Sequence, residues 1–92
     1  MTRIRVLDLI FTAHAASALG DRGILPEDLY AILDTRYVVT RNRCRRSASH
    51  VLIGYDLQGR CLAAPIAPTH DPGIWRVLTA WPCKPSEAAK LG

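Results

Sequence analysis

Apolar and polar positions along this chain follow two rhythms, and the change comes near residue 37. Before it, "RVLDLIF" predicts a first strand. The stretch "AHAASALGDR" then predicts a short helix capped by Thr12 and stopped at Gly23, because a side-chain oxygen satisfies the first free N–H groups and glycine tolerates the left-handed exit. In "LPEDLYAILDT" a proline stands at the first helical position and two carboxylates occupy the first turn, where the helix dipole favours them. Leu29, Ile32 and Leu33 form the apolar stripe of this second helix.

From residue 37 onward the apolar residues alternate. "YVVTR", "HVLIGYD", "RCLAAPI" and "IWRVLTAW" read as strands of a β-meander. "DLQGR" has a glycine where a tight hairpin needs positive φ, and "APTHDPG" is a longer loop broken by proline and glycine. Pro65 has no N–H to offer a ladder, so its strand is expected at an edge or beside a bulge. In "KPSEAAKL", Ser86 is expected to cap a short final helix with Glu87 in its first turn. The expected fold is α+β: two N-terminal helices packed on a three- to four-stranded antiparallel sheet, followed by a short C-terminal helix.

Length and composition narrow the class. A chain of 92 residues buries only about 60 to 65% of its extended surface, which supports one small core, so residues 1–92 are read as a single domain. Apolar residues make up 49% and charged residues 22%, the balance of a folded domain and not of a disordered tail. No apolar run approaches the roughly 20 residues that cross a bilayer, and "MTRIRVLDLIFT" carries Asp8 within its apolar stretch, so a cytosolic, unprocessed protein is expected. Cys44, Cys61 and Cys83 are widely spaced and odd in number, which predicts reduced thiols. Those cysteines and His14, His50 and His70 show no metal-ligand spacing, so neither metal nor cofactor is expected.

Charge is the next distinguishing feature. The net charge of +4 is concentrated in "RNRCRRSAS", where Arg41, Arg43, Arg45 and Arg46 form the kind of cluster that polyanions prefer. The plain alternative is a solvated hairpin loop that keeps the protein in solution. Aromatic residues near the cluster are limited to Tyr37 and, across the next strand, Tyr55. A second cation, Arg76, sits in the middle of "IWRVLTAW". It is either a solvent-facing residue of a half-buried strand or a guanidinium held on a rigid element and aimed at an anion. Trp75 and Trp81 share one parity in that run, so both are expected in the core, with base stacking as the alternative for one of them.

The layout resembles that of BrnT-like toxins, whose fold is akin to that of the RelE ribonucleases. The matching pieces are His14 in "HAASALGDRGILPEDL", the hairpin "HVLIGYDLQGR", the strand "IWRVLTAW" and Glu87 after it, while Trp81 stands where the family's second arginine would be. The resemblance implies a toxin of a bacterial type II toxin–antitoxin system, a metal-independent ribonuclease acting on mRNA. In that chemistry a ribose 2′-hydroxyl attacks phosphorus, so one group takes a proton, one gives a proton and cations stabilise the phosphorane. Arg76 would be the phosphorane-binding cation and Arg60 a further substrate contact. His14, Lys84 and Glu87 would be the proton carriers. Arg41, Arg43, Arg45, Arg46 and Tyr55 would bind RNA. Its partners would be RNA or the ribosome and a cognate antitoxin, with a homodimer expected inside that complex and no membrane. The rival class is a non-catalytic basic module that binds RNA or DNA through "RNRCRR" or pairs an exposed strand with a protein.

Overall fold

A computed structural model describes residues 4–42 and 48–91. In chain order the elements are β1 (Asp8–Phe11), α1 (Ala13–Gly20), α2 (Pro26–Asp34), β2 (Tyr37–Arg41), β3 (His50–Tyr55), β4 (Cys61–Pro68), β5 (Ile74–Val77), β6 (Trp81–Pro82), α3 (Pro85–Ala88) and a closing 3-10 turn, Ala89–Leu91.

Local chemistry sets most of the element ends. Thr12 Oγ1 accepts the Ala15 N–H at 3.1 Å and starts α1, and Gly23, at φ 68°, carries the chain out of it. Pro26 opens α2, and the Asp28 carboxylate reaches back to the Leu25 N–H at 2.9 Å. Gly59, at φ 82°, closes the β3–β4 hairpin. The final helix begins differently from expectation. Its cap is Lys84, with Pro85 at the first position, and Ser86 lies inside it; the Glu87 carboxylate, at the third position, reaches back and accepts the Lys84 N–H at 2.8 Å.

The sheet corrects the expected fold. It has six strands in the order β1-β5-β4-β3-β2, with β6 also on β4, and it is mixed, because β1 runs parallel to β5 while the other pairs are antiparallel. Nor do the two N-terminal helices cover the sheet as a pair. α2 lies against β3 and β1, and the C-terminal helix and turn lie against β3 and β2. Side chains alternate between faces along a strand, so two cores result. One contains Leu9, Leu52, Leu62, Ala64, Ile66 and Val77 of the sheet with Leu19, Leu29 and Ile32 of the helices. The other contains Val51, Ile53 and Ala63, with Leu91 closing over them and Trp81 packed alongside.

"IWRVLTAW" is not one strand. From Ile66 to Ala63 β4 takes three residue steps, while its partner takes four, from Val77 to Trp81. The extra residue is a bulge, and a one-residue slip flips every later side chain. Trp75 therefore packs against the helix-side core and Trp81 against the opposite one, which corrects their expected shared parity. Pro65 explains the position of the bulge. It lies in a central strand, opposite the interrupted stretch, where its missing N–H removes no ladder bond and its carbonyl accepts the Leu78 N–H at 3.1 Å. Arg22 secures the bulge from outside, donating to Thr79 Oγ1 at 2.7 Å and to the Ala80 carbonyl at 2.9 Å.

The expectation of free thiols is also corrected at two positions. β6 brings Cys83 beside Cys61, with the Cys83 N–H on the Cys61 carbonyl at 2.9 Å, and the two form a disulfide with a Cα–Cα separation of 5.3 Å. Cys44 lies outside the described residues. Among the described residues no helix is long and apolar enough to cross a membrane.

Candidate nucleic-acid interface

The basic cluster begins at one end of the sheet, where β2 ends. Asn42 closes its base, donating its N–H to the Ser49 carbonyl at 2.9 Å and its Nδ2 to the Ala48 carbonyl at 3.0 Å. Arg43, Arg45 and Arg46 lie outside the described residues; Arg41 is the last residue of β2 and is exposed.

Strand register gathers further side chains at that end. Arg41 stands opposite His50. The His50 ring meets the Trp75 ring edge-on, with centroids 5.3 Å apart, and its Nδ1 lies 2.7 Å from Ser49 Oγ. Trp75 is held in turn by an indole N–H donated to the Arg5 carbonyl at 3.3 Å. On the opposite face Arg76 stands across from Ala67 on one side and Ile10 on the other. Arg76 is half-buried, with no hydrogen bond or ion pair among the described residues. A guanidinium with an unused planar fork is suited to a phosphate. The Trp75 and His50 rings lie on the other face of the same sheet end and supply ring surface there.

The other expected site residues do not join this end. Tyr55 is exposed at the far end of β3, five residues and about 16 Å of strand from His50. Arg60 is occupied at that same far end. Its guanidinium donates to Asp56 Oδ2 at 2.8 Å, to Asp28 Oδ2 at 2.9 Å and to the Gly23 carbonyl at 3.3 Å, tying the hairpin to the start of α2. Burial alone would raise the pKa of the Asp56 carboxyl, but the hydrogen bonds from the Arg60 side chain and from the Arg60 and Gln58 backbones hold it below its ordinary value.

Glu87 is occupied by the Trp81 indole N–H at 3.1 Å and by the cap of α3, while the Lys84 ammonium sits over the Trp81 ring, 5.8 Å from its centroid. His14 is exposed in the first turn of α1 with no partner among the described residues. Of the five residues assigned to catalysis, Arg76 alone lies at the basic end.

Ser49 and His50 were not legible as site residues, although one signal was present: a histidine closely follows the arginine cluster. The place of Trp75 depends on the β3–β4–β5 register, for which no local pattern exists. No group of His, Cys, Asp and Glu side chains converges as a metal site among the described residues. No family model, curated protein or solved structure matches the chain, and the resemblance to BrnT-like toxins rests on its quoted motifs.

Proposed function

We propose that this chain is a small, non-catalytic RNA-binding module whose contact surface is the sheet end carrying Arg41, Ser49, His50, Trp75 and Arg76, together with the arginines of the loop that starts there. The observation that carries this reading is the register that sets Arg41 against His50, and His50 against Trp75, at the root of "RNRCRR". Phosphate contacts supply sequence-independent affinity, and aromatic rings favour unpaired bases over a duplex. Single-stranded RNA is the expected ligand, with no cofactor.

The second reading is the metal-independent ribonuclease of a toxin–antitoxin pair, which would inhibit translation and be held by an antitoxin. It requires a proton acceptor, a proton donor and a cation around one phosphate. Arg76 supports it, as a partner-free guanidinium on a rigid strand. The engagement of Arg60 by two carboxylates, and of Glu87 by the cap and the indole, supports the binding reading instead. A cytoplasmic setting belongs to either reading and requires the Cys61–Cys83 bond to form there, whereas structural disulfides persist mainly in oxidising compartments.

The test is a labelled RNA oligonucleotide titrated with the protein over a range of salt, with its length read on a gel afterwards, beside induction in a bacterium with growth followed. The binding reading expects a log–log fall of affinity with salt, intact RNA and undisturbed growth. Cleavage of the oligonucleotide with growth arrest returns the ribonuclease. Salt-independent or undetectable binding with intact RNA removes both.

A further inference from the structure

The strand path ends at β1 and β2, with the two-residue β6 off it, and the free edges of β1 and β2 differ. On β1 the groups of Leu9 that turn away from β5 are both taken: its N–H donates to Asp8 Oδ1 at 2.8 Å, and its carbonyl accepts from the Tyr30 hydroxyl at 2.6 Å. On β2 the orientation follows from the ladder. Opposed residues of an antiparallel pair exchange hydrogen bonds at every second position. The Asn42–Ser49 bond therefore directs Thr40 and Val38 toward β3, and it turns the N–H and C=O of Tyr37, Val39 and Arg41 outward. Nothing among the described residues bonds to those outward groups of Val39. The strand is unbroken through Tyr37, Val38, Val39 and Thr40, all good strand formers, and has no proline or bulge to blunt its edge.

Charge selects what pairs there. Arg36 and Arg41 bracket the open stretch, both exposed and neither in an ion pair among the described residues. A second copy of the chain would set the same two arginines and another net +4 against them. We infer that β2 is the docking edge for an extended, acidic segment of a partner protein, which adds antiparallel as a further strand. Main-chain hydrogen bonds at Val39 provide the attachment, and carboxylates opposite Arg36 and Arg41 select the partner. This edge borders the proposed RNA-binding end and shares Arg41 with it, but its main-chain attachment at Val39 does not rest on RNA binding.

The probe is the blocked peptide Glu-Thr-Val-Thr-Val-Glu, whose end carboxylates fall opposite Arg41 and Arg36 when its third residue faces Val39. In fluorescence anisotropy at low salt it should bind roughly tenfold or more tightly than the same peptide ended in lysine. Methylating the amide nitrogen of its third residue, which faces β2, should abolish binding; methylating that of the fourth, which faces away, should leave it within about twofold. Val39→Pro removes an outward N–H and no β2–β3 bond, so it should weaken binding by roughly tenfold. Should that variant not fold, the methylated peptides carry the test alone. Equal binding of acidic and basic peptides, or equal effects of the two methylations, overturns the proposal. A dimer in sedimentation that Val39→Pro dissolves overturns it as well, because a second copy then fills the edge.

Discussion

The Tyr30 hydroxyl lies 2.6 Å from the Leu9 carbonyl oxygen, so a side chain of α2 seals the outer edge of β1. The same contact fastens the helix to the outer strand of the one parallel pair among the described residues, and the Tyr30 ring meets Phe11 edge-on at 5.5 Å. Tyr30→Phe keeps the ring contact and loses the donor. It should lower stability by about 1 kcal/mol, the net worth of one hydrogen bond, and free an edge for association. Urea melts and light scattering of the two proteins check both effects.

The same hydroxyl should leave a mark at high pH. Burial first, and the Asp8 carboxylate second, raise its pKa above the ordinary value of 10.0. The unfolded chain then loses this proton at lower pH than the folded one, so stability is intact below pH 10.0 and falls as pH rises through the folded value. In melts taken across that range, the part of the alkaline decline due to Tyr30 should be missing from Tyr30→Phe. An identical decline in both proteins counts against the assignment.

What was legible in the sequence had a local cause. Thr12, Pro26, Gly23 and Gly59 each set a helix end or a turn through chemistry within four residues, and those elements stand where the residues put them. The pairing of β1 with β5 has no such cause: Leu9 meets Trp75 across most of the chain, and nothing near either residue announces the other. The bulge near Leu78 was half-legible. Pro65 announced an edge or a bulge but not which strand would carry it, so Trp81 was set on the wrong face. The candidate site divides similarly. The arginines are visible as composition, whereas His50 and Trp75 become neighbours only through register.

Cys61 and Cys83 give a direct test of that long-range register. Their bond spans 22 residues and pins the segment that carries Trp81 and α3 to β4. Protein unfolded without reductant should titrate one thiol, and three after reduction. Cys83→Ser should lose roughly 3 kcal/mol of stability by the loop-closure argument. Three titratable thiols before reduction would mean that the pair is not bonded in solution.

Asp56, buried in the β3–β4 hairpin, accepts the N–H groups of Gln58 and Arg60 and the Arg60 side chain. Asp56→Asn should cost about 2 kcal/mol near neutral pH, since charge-assisted bonds are lost from a buried site. The sign of its acid dependence follows from the lowered pKa. The contribution is present above the unfolded value of 3.8 and disappears as pH falls through the folded one. Melts between pH 7 and pH 2 should therefore show the gap between parent and variant closing below about pH 3.8. A constant gap assigns the loss to packing and not to charge.

Arg76 separates an anion site from a solvated strand position. It has no protein partner among the described residues and stands across from Ala67, so Arg76→Gln and Arg76→Lys should both melt within about 0.5 kcal/mol of the parent. RNA binding should tell the two apart. Gln removes the charge, so affinity should fall and the salt slope should drop by about 0.7 for a single strand, the share of one phosphate. Lys keeps the charge and loses the two-pronged grip, so affinity should fall with the slope nearly unchanged. Both readouts come from one salt titration per variant. A parent-like affinity and slope in Arg76→Gln would make Arg76 a solvent-facing strand residue and confine the phosphate contacts to Arg41 and the loop beyond it.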